Sequence, residues 1–333
     1  MPCTITLATP ALLDRRTFGL CLVASAAGAA RAQEAPFPSR ALRIVVPYAS
    51  GAGDSVTRVV AQKLSERLGQ QVLVENRPRA GGATGAAQAA KAAPDGYTLA
   101  FTAVSHSVMT AMQPTLAFDP LADLVPIGFM VTQPYVLAVR ASAPYRSMKD
   151  LVDDAKARPG QVRLAHPGVG TLVHLVAQWF AGEAGIEFNQ IPYGSSGPAL
   201  QSVLAEQTDV LVDPPSNTLP QLATGRLRVL ACTGTQRLPA LPDVQTLKEL
   251  GIPVAGATWF GLSAPAKTPP ALVERLNREL NAALLDPAVK QRLEAMHYSV
   301  EPGTPVAYGR FFAEQAALWA RVVKDNRLAG RNP

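Results

Sequence analysis

Cysteine is nearly absent. The 333-residue chain has three, Cys3, Cys21 and Cys232, and the first two fall in an N-terminal stretch that reads as a leader. One remaining thiol excludes an internal disulfide. Cys232 closes the apolar run LRVLACTG, the position of a buried, inert thiol. Histidine is almost as scarce: His106, His166, His174 and His297 are the whole supply. None is spaced three or four residues from another and no cysteine joins them, so no metal site is expected. Charged residues make up only 17% of the chain, and its net charge of +6 is scattered without a basic run. That pattern is a solvated surface, and no nucleic-acid partner is expected. The G-x-S-x-G elbow of hydrolases is missing, since HPGVG and YGSSG do not match it. Ser105 and His106 are adjacent, so their side chains diverge instead of forming a nucleophile–base pair. No catalytic residue and no cofactor are assigned, and the chain is not read as an enzyme.

The N-terminus carries LDRRTFGLCLVASAAGAARAQ. Arg15 and Arg16 precede an apolar stretch from Thr17 to Ala30, and Ala30-Arg31-Ala32 is a small-x-small cleavage site. The stretch is shorter than the roughly 20 residues that cross a bilayer. Residues 1–32 therefore read as a signal peptide, with the mature chain starting near Gln33. The arginine pair followed by Thr-Phe resembles a twin-arginine signal, and general secretion is the alternative route. Both place the protein in the periplasm.

Beyond the leader, strands alternate with helices. ALRIVVPY, QQVLVENR and DGYTLAFTAV read as strands. DSVTRVVAQKLSERLG reads as a helix with Val56, Val59, Val60, Leu64 and Leu68 on one face and Gly69 as its stop. SMKDLVDDAKARPG is a helix with Ser147 as its cap. Repeated strand–helix units predict an α/β fold with largely parallel sheets and sites at the C-terminal ends of strands. A chain of this length exceeds one core, and the strands form two clusters. Domain 1 is expected over residues 33–135 plus 260–333, and domain 2 over 136–259. The chain is expected to cross between them near Tyr135–Arg140 and Trp259–Ala264.

Three junctions share one design: a strand, a loop of small residues, a helix start. They are VVPYASGAGDS, AHPGVGTLVHL and IPYGSSGPAL. Such junctions leave backbone N–H groups free at the positive end of a helix, where carboxylates bind. In the first, Gly51 and Gly53 are expected to admit a ligand or take positive φ, and Asp54 is a candidate N-cap. Glu75 stands near the place of a ribose-binding acid, but Val56 occupies the position of a dinucleotide loop's third glycine. In the second junction Thr171 is a candidate N-cap. In the third Pro198 suits the first position of a helix. Asp213, in LVDPPSNTLP, ends a strand and either faces a cleft or makes a turn.

Taken together these stretches resemble the substrate-binding proteins of tripartite tricarboxylate transporters, the Bug family. The resemblance runs from FPSRALRIVVPYASGAGDSVTRVVAQKLSERLG through IPYGSSGPALQSVLAEQTDVLVD to WFGLSAPAKTPPALVERLNREL. It implies a two-domain, type II periplasmic-binding-protein-like fold, each domain a mostly parallel sheet flanked by helices, with a cleft between. It implies capture of a small carboxylate and delivery to membrane permease subunits, by a monomer. The residues it places at the ligand are Tyr48, Ala49, Ser50, Gly51, Gly53 and Asp54, with Ser105. From domain 2 they are His166, Gly168, Gly170, Thr171, Tyr193, Gly197, Ala199 and Asp213. The chain departs from the family where SGAGD shortens the first loop, where HPG replaces a Ser-Ala-Gly type stretch, and where DPPSN replaces Asp-Asn-x-Pro-Ser. Ligand identity, whether aliphatic, aromatic or an amino acid, is left open by these changes. Two alternative readings stand beside this one: a secreted oxidoreductase using the first Gly-rich loop, and a protein presenting its ligand to a sensor.

Overall fold

The computed structural model describes residues 37–78, 82–112, 116 and 118–325. The expected leader, with its arginine pair and cleavage site, lies outside the described residues. From Arg40 onward the chain forms one compact unit.

Two sheets organise it. The first has the order β2–β1–β3–β10–β4–β11. Its strands are β1 (Leu42–Val46), β2 (Val72–Asn76), β3 (Thr98–Ala103), β4 (Leu124–Pro134), β10 (Ala257–Pro265) and β11 (Ser299–Val300). The second has the order β7–β6–β8–β5–β9. It is built from β5 (Val136–Arg140), β6 (Arg163–His166), β7 (Asn189–Pro192), β8 (Val210–Asp213) and β9 (Leu227–Cys232). The α/β architecture expected from the sequence is present, and each sheet is mixed. β1 pairs in parallel with β2 and β3, and β6 with β7 and β8. β10 runs antiparallel to β3 and β4, as β5 does to β8 and β9. Connectivity explains the exceptions. β5 and β10 are each entered from the other sheet, without the helical crossover that keeps successive strands parallel.

The helices follow from local chemistry. α1 (Ala52–Leu68) buries Val56, Val59, Val60 and Leu64 and ends at Gly69, whose φ of 66° is the left-handed conformation that glycine favours. α2 (Ala83–Ala90) and α3 (Val104–Met112) follow β2 and β3. α4 (Met148–Ala157) starts at Ser147 with a full capping box to Asp150. α5 (Leu172–Ala184), α6 (Ser196–Leu204) and α7 (Pro215–Ala223) follow β6, β7 and β8. α8 (Pro270–Leu284), α9 (Pro287–Ala295) and α10 (Pro305–Asp325) complete the chain.

The chain passes between the sheets at Tyr135 alone, the single residue between β4 and β5. It returns between Cys232 and Ala257, ahead of the Trp259–Ala264 stretch expected from the sequence, because all of β10 pairs within the first sheet. Thr233 ties the two passages together. Its N–H donates to the Tyr135 carbonyl at 2.9 Å, its hydroxyl accepts from the Tyr135 N–H at 2.9 Å, and that hydroxyl donates to the Gly256 carbonyl. The Tyr135 and Thr258 hydroxyls share a hydrogen bond of 2.5 Å.

One apolar cluster runs through both sheets. It joins Leu137, Leu164 and Val212 of the second sheet, Trp259 of β10, and Tyr308, Phe312 and Trp319 of α10. α10 is the bridge: Trp319 is fully buried and meets Trp179 of α5 edge to face, ring centroids 6.1 Å apart.

Candidate functional site

The parallel strands β1, β6, β7 and β8 deliver the candidate residues from their C-terminal ends. After β1 the chain turns at Tyr48. Its ring stands edge-on to Phe101 and His106, at 6.2 and 6.3 Å. Its hydroxyl hydrogen-bonds Ser105, and burial pushes the phenol up to about 12. Ala49, Ser50 and Gly51 are exposed. Gly51 is the N-cap of α1 in an extended conformation open to any residue, and no side chain caps the helix. Gly53 lies inside the helix. A Cβ there would come within 2.8 Å of the Phe101 ring, so its role is close packing and not positive φ.

Asp54 is the third residue of α1 and not its cap. Both carboxylate oxygens accept from Arg58 Nε at 3.0 Å, and one accepts from Asn76 Nδ2 at 3.0 Å. Burial works against the charge. The bonds from Arg58 and Asn76 outweigh it and hold the carboxyl below its ordinary range. Asn76 Nδ2 also donates to the Tyr48 carbonyl at 3.0 Å, locking the loop's shape. Glu75, the candidate ribose ligand, pairs with Arg77.

In the second sheet, β6 ends at His166, and Pro167 to Gly170 lead into α5. Thr171 caps α5, accepting from the His174 N–H at 3.3 Å. Gly170 takes φ of 80°, and its N–H donates to His174 Nδ1 at 3.2 Å. His166 and His174 are buried with ring centroids 4.7 Å apart. Burial, then the neighbouring His166, pushes His174 down to about 4, and burial also lowers His166. His166 Nδ1 has no hydrogen-bond partner.

β7 leads to Tyr193, whose N–H donates to the His166 carbonyl at 3.0 Å and so holds the second and third junctions side by side. Ser195 is the N-cap of α6, again without a side-chain cap bond. Pro198 is therefore the third helical residue, not the first, still within the turn that needs no N–H. Gly197 is exposed, with open space where a Cβ would stand. Ala199 is fully buried against Ala165, Val203 and Leu211. Asp213 is fully buried where α6 and α7 begin. One of its carboxylate oxygens accepts from Thr218 Oγ1 at 3.4 Å, and the other has no partner. Burial pushes the carboxyl up to about 7, outweighing the nearby polar side chains of Ser196, Asn217 and Thr218, which favour its charged form.

The structure thus gathers Tyr48, Ser105 and Gly53 around Phe101. Separately, it gathers His166, Gly168, Gly170, Thr171 and Tyr193 around His174, and Asp213 with Ser196. Two polar residues of these clusters were not among the expected site residues. His106 is 1% exposed, accepts from the Ala103 N–H at 3.1 Å, and leaves Nε2 without a partner. Asn76 is the other. The Ser105-His106 pair was visible as a motif, but its orientation depends on the turn into α3. Among the described residues, no three His, Cys, Asp or Glu side chains gather as metal ligands, and no helix is long and apolar enough to cross a membrane.

Residues 56–328 match the family model described as the tripartite tricarboxylate transporter family receptor. The chain belongs to this receptor family. Among its relatives is protein BugT of Bordetella pertussis, 34% identical over 91% of this chain and 94% of that one. A TctC solute-binding protein from Polaromonas superposes with a TM-score of 0.80 at 28% identity, covering 87% of this chain and 99% of that one. Two solved relatives from Rhodopseudomonas palustris carry ligands, each at 30% identity over 86% of this chain. One holds adipate (TM-score 0.71, 97% of its chain covered), and MatC holds malate (TM-score 0.68, 100% covered).

Proposed function

We propose that this receptor captures a small organic carboxylate between its two sheets, in the periplasm, and delivers it as a monomer to the membrane subunits of a tripartite transporter. The observation that carries the reading is a pair of helix N-termini, α1 from the first sheet and α6 from the second. Each follows a parallel strand and a loop of small residues, and neither has a side-chain cap. The structural helices α4 and α9 are capped by Ser147 and Asp286. An uncapped start alone is not selective, since α8 also lacks a cap at Pro269. α2 and α7 also start uncapped, after β2 and β8; what sets α1 and α6 apart is that the small-residue loops before them carry Tyr48 and Tyr193. Free N–H groups there offer an anion several neutral donors and a helix-dipole gain of about 0.3–1 kcal/mol per helix, up to roughly 2 when partly buried. The nearby cation Arg58 is committed to Asp54 and Asn76. Recognition by neutral donors follows, with the first-sheet half and the second-sheet half closing as two domains about the ligand.

The two relatives bound to adipate and malate support a carboxylate as the ligand class. The chain has no proposed catalytic residue, and a leader over residues 1–32, with Arg15-Arg16, is proposed to direct its export. Calorimetry with malate, adipate and their diamides tests the reading. At least one acid should bind, and its diamide at least tenfold more weakly. Equal binding of acid and diamide would remove the anion clamp. A nicotinamide or flavin retained through purification would favour the oxidoreductase reading instead.

A further inference from the structure

The strand orders place a second feature opposite the candidate loops. In the first sheet, β1 and β3 lie on one side of the central pair β10–β4, and β11 lies on the other. In the second, β6 and β8 lie on one side of β5, and β9 on the other. The junctions that carry Tyr48, His166 and Asp213 all belong to the first of these sides. On the reverse side is a cavity of about 380 Å³. Leu219, Leu238 and Ala240 line it from the second-sheet half, and Glu294, Tyr298 and Ser299 from the first.

Each wall is fastened to its own sheet. Tyr298 is 5% exposed, with its ring 5.6 Å from Phe260 of β10. The turn before it is held by Gln133 of β4, whose Nε2 donates to the carbonyls of Met296 and His297 at 3.0 and 3.3 Å. Leu238 is 4% exposed and packs with Val136, Ala138 and Cys232 of β5 and β9. The crossing at Tyr135 joins the two sheets to which the walls are fastened. Two rigid bodies joined there act as a lever: a rotation that brings the loops together parts the cavity walls, and the reverse rotation presses them together.

From this arrangement we infer that the cavity is the hinge's reverse gap, and that its filling sets the balance between open and closed receptor. The inference rests on the proposed closure about a ligand. Small side chains at Ala240 and Ser299 leave room for the walls to approach and thus keep the empty protein open. A bulky side chain there is a wedge that favours closure, and a receptor whose competent state is more populated binds more tightly in proportion.

The test uses the mature chain with spin labels on Gln88→Cys and Gln201→Cys, exposed positions on α2 and α6, while Cys232 stays buried. Label distances are measured by pulsed electron resonance, without added carboxylate, in wild type, Ser299→Trp and Ala240→Trp. Val306→Trp is the control, because it lines a pocket of about 770 Å³ whose walls all come from the first-sheet half. Both wedges should shorten the distance and the control should not. Where wild type binds malate or adipate, the wedges should tighten that binding about tenfold if they raise the closed population about tenfold. Wedge variants that melt like wild type with an unchanged or longer distance overturn the inference, as does an equal shift in the control. Should Ser299→Trp fail to fold, Ala240→Trp on its exposed loop decides alone. A shortened distance with no binding of either acid by any variant would uphold the hinge and count against carboxylate capture.

Discussion

The loop after β1 and the loops after β6, β7 and β8 occupy equivalent places, yet their polar groups are settled differently. In the first, Asp54 is matched by Arg58 and Asn76, and Tyr48 by Ser105 and Asn76. In the second, His166 Nδ1 and one oxygen of Asp213 have no partner; beside the first loop the unpartnered atoms, His106 Nε2 and Ser107 Oγ, lie in α3 and not in the loop itself. Each half also buries a histidine that accepts from backbone, His106 and His174, and the second also holds the fully buried Asp213, whose carboxyl burial pushes up to about 7. A loop whose hydrogen bonds are complete is a fixed surface. A loop with buried groups left over is under electrostatic cost, and such groups concentrate where ligands are chosen. The departures from the family at His166 and after Asp213 fall beside such groups, in the half proposed to form the second wall of the ligand site.

The largest expected effect would erase the contrast. Trp319 belongs to the core shared by both sheets, and Trp319→Ala should cost about 3–5 kcal/mol. Denaturant unfolding followed by separate probes in each half should show both halves losing stability together. A loss confined to one half would mean that the shared core does not couple them.

Acid should sharpen the contrast. His106 and His174 are both held near 4 in the fold against about 6.5 unfolded. The unfolded chain binds more protons between those values, so stability rises from about pH 4 to about 6.5, by roughly 3 kcal/mol per histidine at most. Asp213 works the opposite way. Its raised folded value, about 7, means that stability falls as pH rises from the unfolded carboxyl range toward 7. Asp213→Asn should therefore steepen the rise and add stability at pH 8, whereas His106→Gln should flatten it. Unfolding titrations from pH 4 to 8 read both, and identical slopes in the two variants would contradict the assignment.

Glycine substitutions compare the jaws directly. Gly53→Val drives a side chain into Phe101 and should cost about 1–3 kcal/mol of stability. Gly197→Val meets open space and should change stability by no more than about 0.5 kcal/mol. Its effect, the smallest on the fold, should be weaker carboxylate binding measured by calorimetry. Unaltered binding would take the α6 start out of the site.

The alternation of strands and helices, the Ser147 and Thr171 caps and the buried Cys232 were all legible in the sequence, because each is a local pattern. The antiparallel entry of β5 and β10 was not, since apolar runs carry no direction. The two-residue β11 was too short to stand out. Within the site, the small-residue loops were readable from composition. The meaning of Gly53 was not, because it depends on Phe101 in a distant strand. Asp54 read as a candidate cap, but its place as the third helical residue and its enclosure by Arg58 and Asn76 depend on where the helix begins and on β2. Ala199 lay near the loop in sequence yet turns into the core, as helical periodicity makes a residue one turn in do.

The place of β10 has a consequence for the chain's history before it is a receptor. This strand fills the gap between β3 and β4, and it is made only after the entire second sheet. Until residues 257–265 leave the ribosome, β3 and β4 have no shared neighbour, and the first sheet cannot close. Pairings between such distant segments are slow to form, because a long loop must be ordered before they add stability. The first sheet therefore stays unfinished until most of the chain has been made.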